Sequence, residues 1–274
     1  SDAVFEGRDI DAVIYFAAFK AVGESCRMPL KYYENNISGT VSLLKVLDKH
    51  GVKKIIFSSS ATVYGDPERL PLDENCRLST TNPYGSTKLM MEMIMQDVYK
   101  ADNAWNIILL RYFNPIGAHP SGLIGELPRG VPNNLVPFIT QTAIGKRECL
   151  SIFGNDYPTE DGTCLRDYID IVDLAKAHVA AINRMVEGKN KCGYEIFNVG
   201  TGRAVSVIEL VKTFERVNNL KLNYRVAPRR AGDVVAVWAD TTLANEELGW
   251  RAERSLEQTL QSAWEWEKRV RNIE

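Results

Sequence analysis

Residues 57–88 read FSSSATVYGDPERLPLDENCRLSTTNPYGSTK, and this stretch decides the fold class of the chain. Its first residues close a short apolar run, 52–58, which is typical of a buried strand. Its last residues form the start of a helix that carries Tyr84 and Lys88. A buried strand, a loop and a helix in this order predict one unit of a parallel α/β sheet.

The predicted helix places Tyr84 and Lys88 on one face, because they are one turn apart. Asn82 can cap this helix and Pro83 suits its first turn. A lysine ammonium one turn from a phenol is expected to stabilise the phenolate and lower the pKa of the tyrosine. Such a phenol can exchange a proton with a sugar hydroxyl while hydride leaves the same carbon. Ser60, at the end of the strand, can hold the same oxygen.

The same residues also allow a structural interpretation. Tyr84 and Lys88 could form an exposed pair on the helix, and the serines could form a solvated turn. A tyrosine four residues before a lysine occurs often by chance. The hydroxyl-ended strand upstream and the parallel α/β pattern strengthen the catalytic interpretation.

Other strands and helices are expected on both sides of this stretch. The predicted strands are residues 12–18, 106–111, 194–199 and 221–226. The predicted helices are residues 29–50, 135–145, 173–186, 243–248 and 255–270. Residues 117–134 and 152–167 are expected to form loops, and the methionines after Lys88 are expected to fill the core. The alternation predicts an α/β protein with a doubly wound parallel sheet.

A glycine pair follows the predicted strand 194–199. Gly200-Thr201-Gly202 precedes Ser206, which opens a capping box with Glu209. The order mimics a dinucleotide-binding fingerprint, but Val205 stands at the third glycine position and no acidic residue ends a following strand. The motif is therefore either a phosphate site or an ordinary strand-to-helix turn.

Composition narrows the function classes. The net charge is −2, from 33 basic and 35 acidic residues, so no basic field predicts nucleic-acid binding. No apolar run approaches the ~20 residues of a membrane span. Five cysteines without a CxxC pair favour reduced thiols in the cytoplasm. The three histidines are scattered, so we expect no metal site.

Seven stretches follow one another along nearly the whole chain in the order of a known family. They are FKAVGES (19–25), FSSSATVYG (57–65), NPYGSTK (82–88), LRYFNPIGAHPSG (110–122), GVPNNLVPF (130–138), IFGNDYPTEDGTCLRDYI (152–169) and RRAGD (229–233). In these stretches the chain resembles the extended short-chain dehydrogenase/reductases, and within them the UDP-glucose 4-epimerase family.

The resemblance implies a domain organisation. Residues 1–115 and 167–200 are expected to form a Rossmann-like NAD-binding domain with a doubly wound parallel sheet. Residues 116–166 and 201–274 are expected to form a smaller α/β domain that binds a UDP-sugar. The resemblance also implies a cytoplasmic homodimer.

The resemblance assigns roles to single residues. Tyr84 is implied as the catalytic base, Lys88 as its partner that also holds the nicotinamide ribose, and Ser60 as the third catalytic residue. The implied NAD-contacting residues are Phe16, Ala17, Ala18, Lys20, Asn35, Ser60, Tyr84, Lys88 and Phe113. The implied residues around the UDP-sugar are Ser60, Tyr84, Asn114, Asn134, Leu135, Phe153, Arg166, Arg230, Asp233 and Val237.

These residue types suit their implied ligands. The guanidinium groups of Arg166 and Arg230 can grip a diphosphate bidentately. Phe153 suits packing against uracil, and Asp233 suits a ribose hydroxyl. The implied reaction interconverts UDP-glucose and UDP-galactose, in galactose metabolism, by oxidation at C4 with NAD, rotation of the 4-keto sugar and re-reduction. Val237 stands where the family carries a tyrosine or a small residue, which predicts that UDP-GlcNAc and UDP-GalNAc are accepted as well.

The chain departs from the family pattern at its start. In the family a Gly-rich turn after the first strand binds the pyrophosphate of NAD, and residues 1–15 hold no such turn. The chain is expected to begin roughly 60 to 65 residues into the domain, without its first βα units. Smaller departures are Tyr15 in place of a histidine, Ala18 in place of a glycine and Asp170 in place of a histidine.

Two alternative functions remain at this point. The first is a truncated, inactive pseudoenzyme that binds a UDP-sugar. The second is a nucleotide-sugar 4,6-dehydratase, which would require an Asp-Glu acid/base pair after the catalytic serine or threonine. Ser60 is followed by Ala61 and Thr62, which argues against the dehydratase.

Overall fold

The structure is a computed structural model that describes residues 2–230 and 233–272. In chain order its strands are β1 (Val13–Tyr15), β2 (Lys54–Ser58), β3 (Asn106–Tyr112), β4 (Asn114–Ile116), β5 (Leu150–Phe153), β6 (Leu165–Arg166), β7 (Tyr168–Asp170), β8 (Tyr194–Val199), β9 (Val205–Ser206), β10 (Tyr224–Ala227) and β11 (Ala236–Val237). Its α-helices are α1 (Asp2–Phe5), α2 (Val22–Arg27), α3 (Pro29–Tyr33), α4 (Gly39–Lys49), α5 (Pro83–Ala101), α6 (Leu135–Ala143), α7 (Ile171–Val186), α8 (Val207–Val217), α9 (Thr242–Glu247) and α10 (Leu256–Val270). A π-helix (Glu34–Ser38) joins α3 to α4, and a 3₁₀ helix (Ala61–Tyr64) follows β2.

A four-stranded parallel sheet in the order β1-β2-β3-β8 forms the centre of the fold. The helices α2 to α4 connect β1 to β2, and α5 connects β2 to β3. Because the strands are parallel, their carboxyl ends meet at one rim of the sheet. Tyr15, Ser58, Tyr112 and Val199 end the four strands at this rim. The predicted α/β fold with a parallel sheet is confirmed.

Each face of the sheet carries its own core, because successive strand residues point to opposite faces. On one face Ile55 and Phe57 of β2 pack in a cluster with Leu47 of α4 and Met91 of α5. On the other face the cluster includes Ile56 of β2, Ile108 and Leu110 of β3, and Leu174, Ala177 and Ala181 of α7. The sheet is therefore covered on both sides, as its near-continuous apolar strands require.

A second core lies outside this sheet. It joins Ile139 of α6, Ile152 of β5, Phe214 of α8 and Leu260 of α10. Small sheets border it: β5 pairs with β10, and β6 lies between β9 and β11. This core contains residues from the predicted substrate domain and also Tyr168, and the predicted domain boundaries stay a prediction.

Several predicted elements differ from the structure. The strand expected over 12–18 covers only Val13–Tyr15, and the helix expected over 29–50 contains the π-helix. The loop expected over 152–167 is wrong at its two ends, because Ile152 and Phe153 pair with β10, and Leu165 and Arg166 pair with β11.

The methionines of α5 divide between two environments. Met91 and Met95 are fully buried, as expected. Met90 and Met93 are 42% and 56% exposed, so the prediction that all of them fill the core is wrong. The helix turns 100° per residue, so neighbouring methionines cannot all face the sheet. Within the described residues, no helix combines the length and apolar character that crossing a membrane requires.

Candidate active site

Ser60 and Tyr84 meet at the rim of the sheet. Ser60 caps the 3₁₀ helix, with its Oγ accepting from the Thr62 amide at 3.2 Å. The first turn of α5 packs tightly on this helix, because a Cβ on Gly85 would lie 2.9 Å from the Thr62 carbonyl oxygen. Burial raises the pKa of Tyr84, and the Ser60 hydroxyl opposes this shift by hydrogen bonding. The close packing of α5 therefore brings the phenol to the serine.

Lys88 is buried between α5 and β2. Its Nζ donates to the Ser58 carbonyl oxygen at 2.6 Å and lies 4.7 Å from the centre of the Phe57 ring. Burial lowers the pKa of Lys88 from 10.5 to about 7, and the charge of Glu92 opposes this shift. The expected lowering of the Tyr84 pKa by Lys88 is wrong, because burial disfavours the phenolate and the ammonium alike.

Ser58 and His178 fix the end of β2 from the opposite face of the sheet. The carbonyl oxygen of Leu174 lies 2.8 Å from Nδ1 of His178, so Nδ1 carries the proton and donates. Nε2 then accepts from Ser58 Oγ at 2.7 Å. Burial lowers the pKa of His178, which keeps this ring neutral. The sequence predicts no role for His178, since a lone histidine on a helix belongs to no motif.

Tyr84 is also held through its backbone. The Tyr84 amide donates to Ser25 Oγ at 3.1 Å, and Ser25 Oγ donates to the Val22 carbonyl oxygen at 2.7 Å. Ser25 is fully buried. Ser25 ends the FKAVGES stretch (19–25), which resembles the family but predicts no positioning role for this serine.

The residues implied for NAD follow β1 and the π-helix. Phe16 is 59% exposed, and its ring centre lies 4.7 Å from that of His178. Ala17, Lys20 and Asn35 are exposed nearby in the chain, and Ala18 is half-buried. Lys20 Nζ lies 3.4 Å from Glu126 Oε1.

Phe113 differs from this group. It is buried and packs in a cluster with Tyr64 and Leu72. The side chain of Phe113 therefore faces the protein interior. In contrast, the exposed ring of Phe16, the small side chains of Ala17 and Ala18 and the amine of Lys20 are groups that fit a flat nicotinamide ring and a ribose. The chemistry of the remaining residues thus fits a nicotinamide cofactor.

Four residues implied for the UDP-sugar form one chain of contacts. The guanidinium of Arg230 lies over the Phe153 ring, 4.9 Å from its centre. Arg230 Nε donates to Asp233 Oδ2 at 2.9 Å, and Arg166 Nη2 lies 4.0 Å from Asp233 Oδ1. The structure therefore brings an aromatic ring, two guanidinium groups and a carboxylate together. Ala231 and Gly232 of the RRAGD stretch lie outside the described residues.

Two of the other implied substrate residues, Val237 and Asn114, lie next to this group, and two more stand at the start of α6. Val237 of β11 pairs with Arg166 of β6. The Asn114 amide donates to the carbonyl oxygen of Asp167, directly after Arg166. Asn134 stands before α6, whose first residue is Leu135.

Asn134 also links two parts of the site. Its Nδ2 donates to Glu126 Oε1 at 2.9 Å, and the same carboxylate oxygen faces Lys20. Trp266 holds the loop at this position, with its Nε1 donating to the Glu126 carbonyl oxygen at 3.0 Å. The carboxylate of Glu126 therefore contacts both Lys20, which is implied for the cofactor, and Asn134, which is implied for the substrate.

The Gly200-Thr201-Gly202 turn binds a carboxylate of the protein itself. The amides of Thr201 and Gly202 donate to Asp167 at 2.8 and 3.0 Å, and the Thr201 hydroxyl donates at 2.7 Å. Asp167 is fully buried. These amides are therefore already paired, which favours the ordinary turn over a phosphate site.

Tyr15 and Asp170, two residues that depart from the family pattern, form hydrogen bonds within the protein. Tyr15 shares a hydrogen bond of 3.1 Å with Thr40. Asp170 caps α7 through the Val172 amide and accepts from Arg254 and Thr259, both at 2.8 Å. Asp170 thereby ties the start of α7 to the C-terminal helix.

The parallel sheet, the serine at a strand end and the tyrosine–lysine pair on the next helix define a site of the short-chain dehydrogenase/reductase class. A family model described as GDP-mannose 4,6 dehydratase matches residues 1–263. The UDP-glucose 4-epimerase of Bacillus subtilis is 55% identical over 266 residues, 97% of this chain and 78% of the relative. That of Homo sapiens is 52% identical over 97% of this chain and 76% of the relative.

A solved structure agrees with these relatives. The UDP-glucose 4-epimerase from Bifidobacterium longum, in complex with NAD+ and UDP, is 49% identical and superposes with a TM-score of 0.94. The match covers 99% of this chain and 80% of that one. The chain belongs to the UDP-glucose 4-epimerase family.

Proposed function

We propose that this chain interconverts UDP-glucose and UDP-galactose, with NAD as its cofactor. The observation that carries the proposal is the convergence of Ser60, Tyr84 and Lys88 at the rim of the sheet. The family relationship supports it, since the Bifidobacterium longum epimerase was crystallised with NAD+ and UDP. The interconversion is a step in galactose metabolism.

The residues at the end of β1 would hold NAD together with Lys88. Phe16 and the alanines beside it would border the nicotinamide, and Lys20 and Asn35 would contribute polar contacts. Lys88 has one described hydrogen bond, to Ser58, so its other N–H groups can reach the nicotinamide ribose. When bound, NAD supplies reversible removal of hydride at C4 of the sugar.

Tyr84 acts as the base in this proposal. Its phenolate receives the proton of the sugar 4-hydroxyl, and the resulting phenol returns that proton when the 4-keto sugar is reduced again. Ser60 orients the same oxygen, because its hydroxyl lies beside the phenol. A protonated Lys88 stabilises the phenolate. Burial disfavours each charged form by itself, and it also strengthens the attraction between phenolate and ammonium when both are present.

The UDP group acts as the anchor during the reaction. Arg166 and Arg230 bind the diphosphate, Phe153 packs on uracil, and Asp233 accepts from a ribose hydroxyl. With the diphosphate fixed, the 4-keto sugar can turn and present its other face to the cofactor. Asn114, Asn134 and Leu135 border the path of the sugar.

A coupled assay tests this function. Purified protein with added NAD and UDP-galactose should produce UDP-glucose, which UDP-glucose dehydrogenase converts with formation of NADH. Tyr84→Phe serves as the control that lacks the base. Wild-type protein that binds UDP and NAD in calorimetry but forms no UDP-glucose would overturn the proposal and favour a UDP-sugar-binding protein without activity.

We further propose that the N-acetylated pair, UDP-GlcNAc and UDP-GalNAc, is accepted. Val237 lies beside Arg166 in the β6–β11 pairing and is small enough to leave room for an acetamido group. Val237→Tyr should abolish the N-acetyl activity and spare the UDP-glucose activity. Equal loss of both activities would contradict this specificity.

A cytoplasmic homodimer is the form we propose. The five unpaired cysteines favour a reducing compartment. Met90 and Met93 present an exposed apolar strip on α5, which suits a contact with a second copy. Met93→Glu should shift the mass measured by light scattering from dimer to monomer, whereas a monomeric wild type would contradict the dimer.

A further inference from the structure

Glu92 lies one helical turn beyond Lys88 on α5, so that Tyr84, Lys88 and Glu92 follow one another along one face of the helix. Its side chain is almost fully buried. Oε1 accepts from Ser59 Oγ and from Arg111 Nε at 3.0 Å, and Oε2 accepts from Arg111 Nη2 at 2.7 Å. Both carboxylate oxygens are therefore occupied by donors from β2 and β3.

Arg111 extends this contact across the sheet. Its Nη1 donates to the Tyr64 hydroxyl at 3.1 Å and to the Glu74 carbonyl oxygen at 3.3 Å. The Tyr64 hydroxyl donates in turn to Asn198 Oδ1 at 2.7 Å. The network connects the 3₁₀ helix after Ser60 with β3 and β8. Ser59 is its attachment to the end of β2.

The three serines at this strand end therefore point to three different partners. Ser58 gives its carbonyl oxygen to Lys88, Ser59 gives its hydroxyl to Glu92, and Ser60 faces Tyr84. A shift at Ser59 would move both of its neighbours. Glu92 thus contacts Ser59, which lies between Ser58, the residue that binds Lys88, and Ser60, the residue that faces Tyr84.

We propose that Glu92 is a positioning residue for the reaction: it fixes the end of β2 through Ser59 and places a buried carboxylate one helical turn beyond Lys88, where its charge favours the ammonium form. This inference rests on the proposed function, in which a protonated Lys88 supports the Tyr84 phenolate.

The charges around Lys88 support an electrostatic role. On α5, Lys88 lies between Tyr84 and Glu92. From β2 it meets only the neutral Ser58 carbonyl and the Phe57 ring, and His178 of α7 is neutral behind Ser58. Glu92 also pairs with the guanidinium of Arg111 on β3. Removal of the Glu92 charge would leave Arg111 a buried cation without this partner and would remove the charge that favours the ammonium form of Lys88.

A second buried pair in the same sheet supplies the matched control. Glu195 of β8 accepts from Arg184 of α7 at 2.9 and 2.8 Å and is similarly buried. Glu195→Gln should cost similar stability to Glu92→Gln. However, Glu195 is not among the groups that shift the pKa of Lys88. Differences between the two variants therefore separate a role at the site from a role in folding.

The first measurement is the titration of Lys88. The side-chain ¹⁵Nζ resonance, assigned with Lys88→Met, should show a midpoint near the pKa of about 7 in wild type and in Glu195→Gln. In Glu92→Gln the midpoint should fall by about one pH unit or more. Equal midpoints in a folded Glu92→Gln variant and in wild type would overturn the electrostatic part.

The second measurement uses a milder change, in case Glu92→Gln does not fold. Ser59→Ala removes one hydroxyl and leaves the ion pair intact. Hydrogen–deuterium exchange of residues 57–65 should accelerate about tenfold, and kcat should fall without a rise in the KM for UDP-glucose. The matched control is Thr140→Val, because Thr140 Oγ1 donates to the buried Glu267 at 3.1 Å in the second core.

The outcomes distinguish this inference from the proposed function. The resonance and the exchange rate are read without turnover, so they decide on Glu92 even if wild-type protein forms no UDP-glucose. Unchanged exchange over 57–65 in Ser59→Ala would overturn the positioning part. An active wild type with unchanged titration in Glu92→Gln and unchanged exchange in Ser59→Ala would refute both parts of the role of Glu92 and leave the epimerase proposal standing.

Discussion

The catalytic rim and the proposed diphosphate anchor are built in opposite ways. Tyr84 and Lys88 are buried, and Lys88 is held by the backbone of β2. The anchor is less deeply buried: the side chains of Arg166 and Asp233 are 15% and 18% exposed, and that of Arg230, which pairs with Asp233, is 54% exposed. The rim is therefore organised before any ligand arrives, whereas the arginines of the anchor must exchange a carboxylate for a phosphate. In the proposed function, the fixed geometry of the rim would serve proton transfer, and the exchangeable ion pairs of the anchor would serve binding and release of the UDP-sugar.

The largest effect on the rim alone is expected from Tyr84→Phe. Because only the phenolic oxygen is lost, packing at the rim should persist. We expect kcat to fall about 10²- to 10⁴-fold, with the Kd for UDP unchanged. Calorimetry with UDP and the coupled assay measure the two quantities. A parallel loss of UDP affinity would show that rim and anchor are not separable.

The next effect comes from the anchor itself. Arg166→Met should raise the KM for UDP-glucose about 10- to 100-fold, because a charged hydrogen bond to phosphate is lost. Its effect on kcat should be small. Arg229→Met is the control, since Arg229 pairs with Asp156 and lies over Tyr157. Equal effects of the two variants would count against a specific diphosphate contact of Arg166.

A smaller effect should follow from Gly85→Ala. The added Cβ would lie 2.9 Å from the Thr62 carbonyl oxygen, so α5 must move away from the 3₁₀ helix. We expect kcat to fall about tenfold, because small displacements of positioned groups are costly. Gly39→Ala is the control, since a Cβ on Gly39 of α4 meets no atom within 4 Å. A normal kcat in Gly85→Ala would show that the rim tolerates movement of α5.

The smallest expected effect is on stability and concerns Lys88. Its pKa is about 7 in the folded chain and 10.5 in the reference state, so the unfolded chain holds the proton more strongly. This difference lowers the free energy of unfolding. The loss of stability is fully present below pH 7 and disappears as the pH rises toward 10.5. Lys88→Met should therefore melt several degrees higher than wild type near pH 6, with a difference that shrinks toward pH 10. A difference independent of pH would mean that burial does not depress this pKa.

Local patterns were enough to predict the main sheet and to place the proposed catalytic residues Ser60, Tyr84 and Lys88 at its rim. The strands β2, β3 and β8 are short apolar runs in the sequence. Asn82 and Pro83 are a capping signal at the start of α5, and the structure contains this cap: Asn82 Oδ1 accepts from the Gly85 amide at 2.9 Å. The two-residue strands β6, β9 and β11 could not be found in this way. They pair residues that are distant in sequence, and no periodicity develops over two positions.

The supporting side chains of the site were missed for a different reason. Glu92 stands within a run of methionines that was interpreted as core filling. Its spacing from Lys88 repeats the spacing of Tyr84 and Lys88, and this repetition was the available signal. Arg111 is a lone charge one residue before the end of the apolar strand β3, and the sequence does not reveal that Glu92 is its partner. The pKa of Lys88 depended on burial depth, which spacing along a helix does not reveal.

The pairing of Arg230 with Asp233 has a kinetic consequence. Asp233 is tethered three positions from Arg230, so its carboxylate competes with any incoming phosphate at a high effective concentration. In the proposed binding mode, such a tethered competitor would lower the affinity for every UDP-sugar to a similar extent. It would also speed the departure of products, because the guanidinium of Arg230 could pair with Asp233 again as soon as the diphosphate leaves. In a reversible reaction between two nearly identical molecules, the anchor would then favour frequent exchange over long residence.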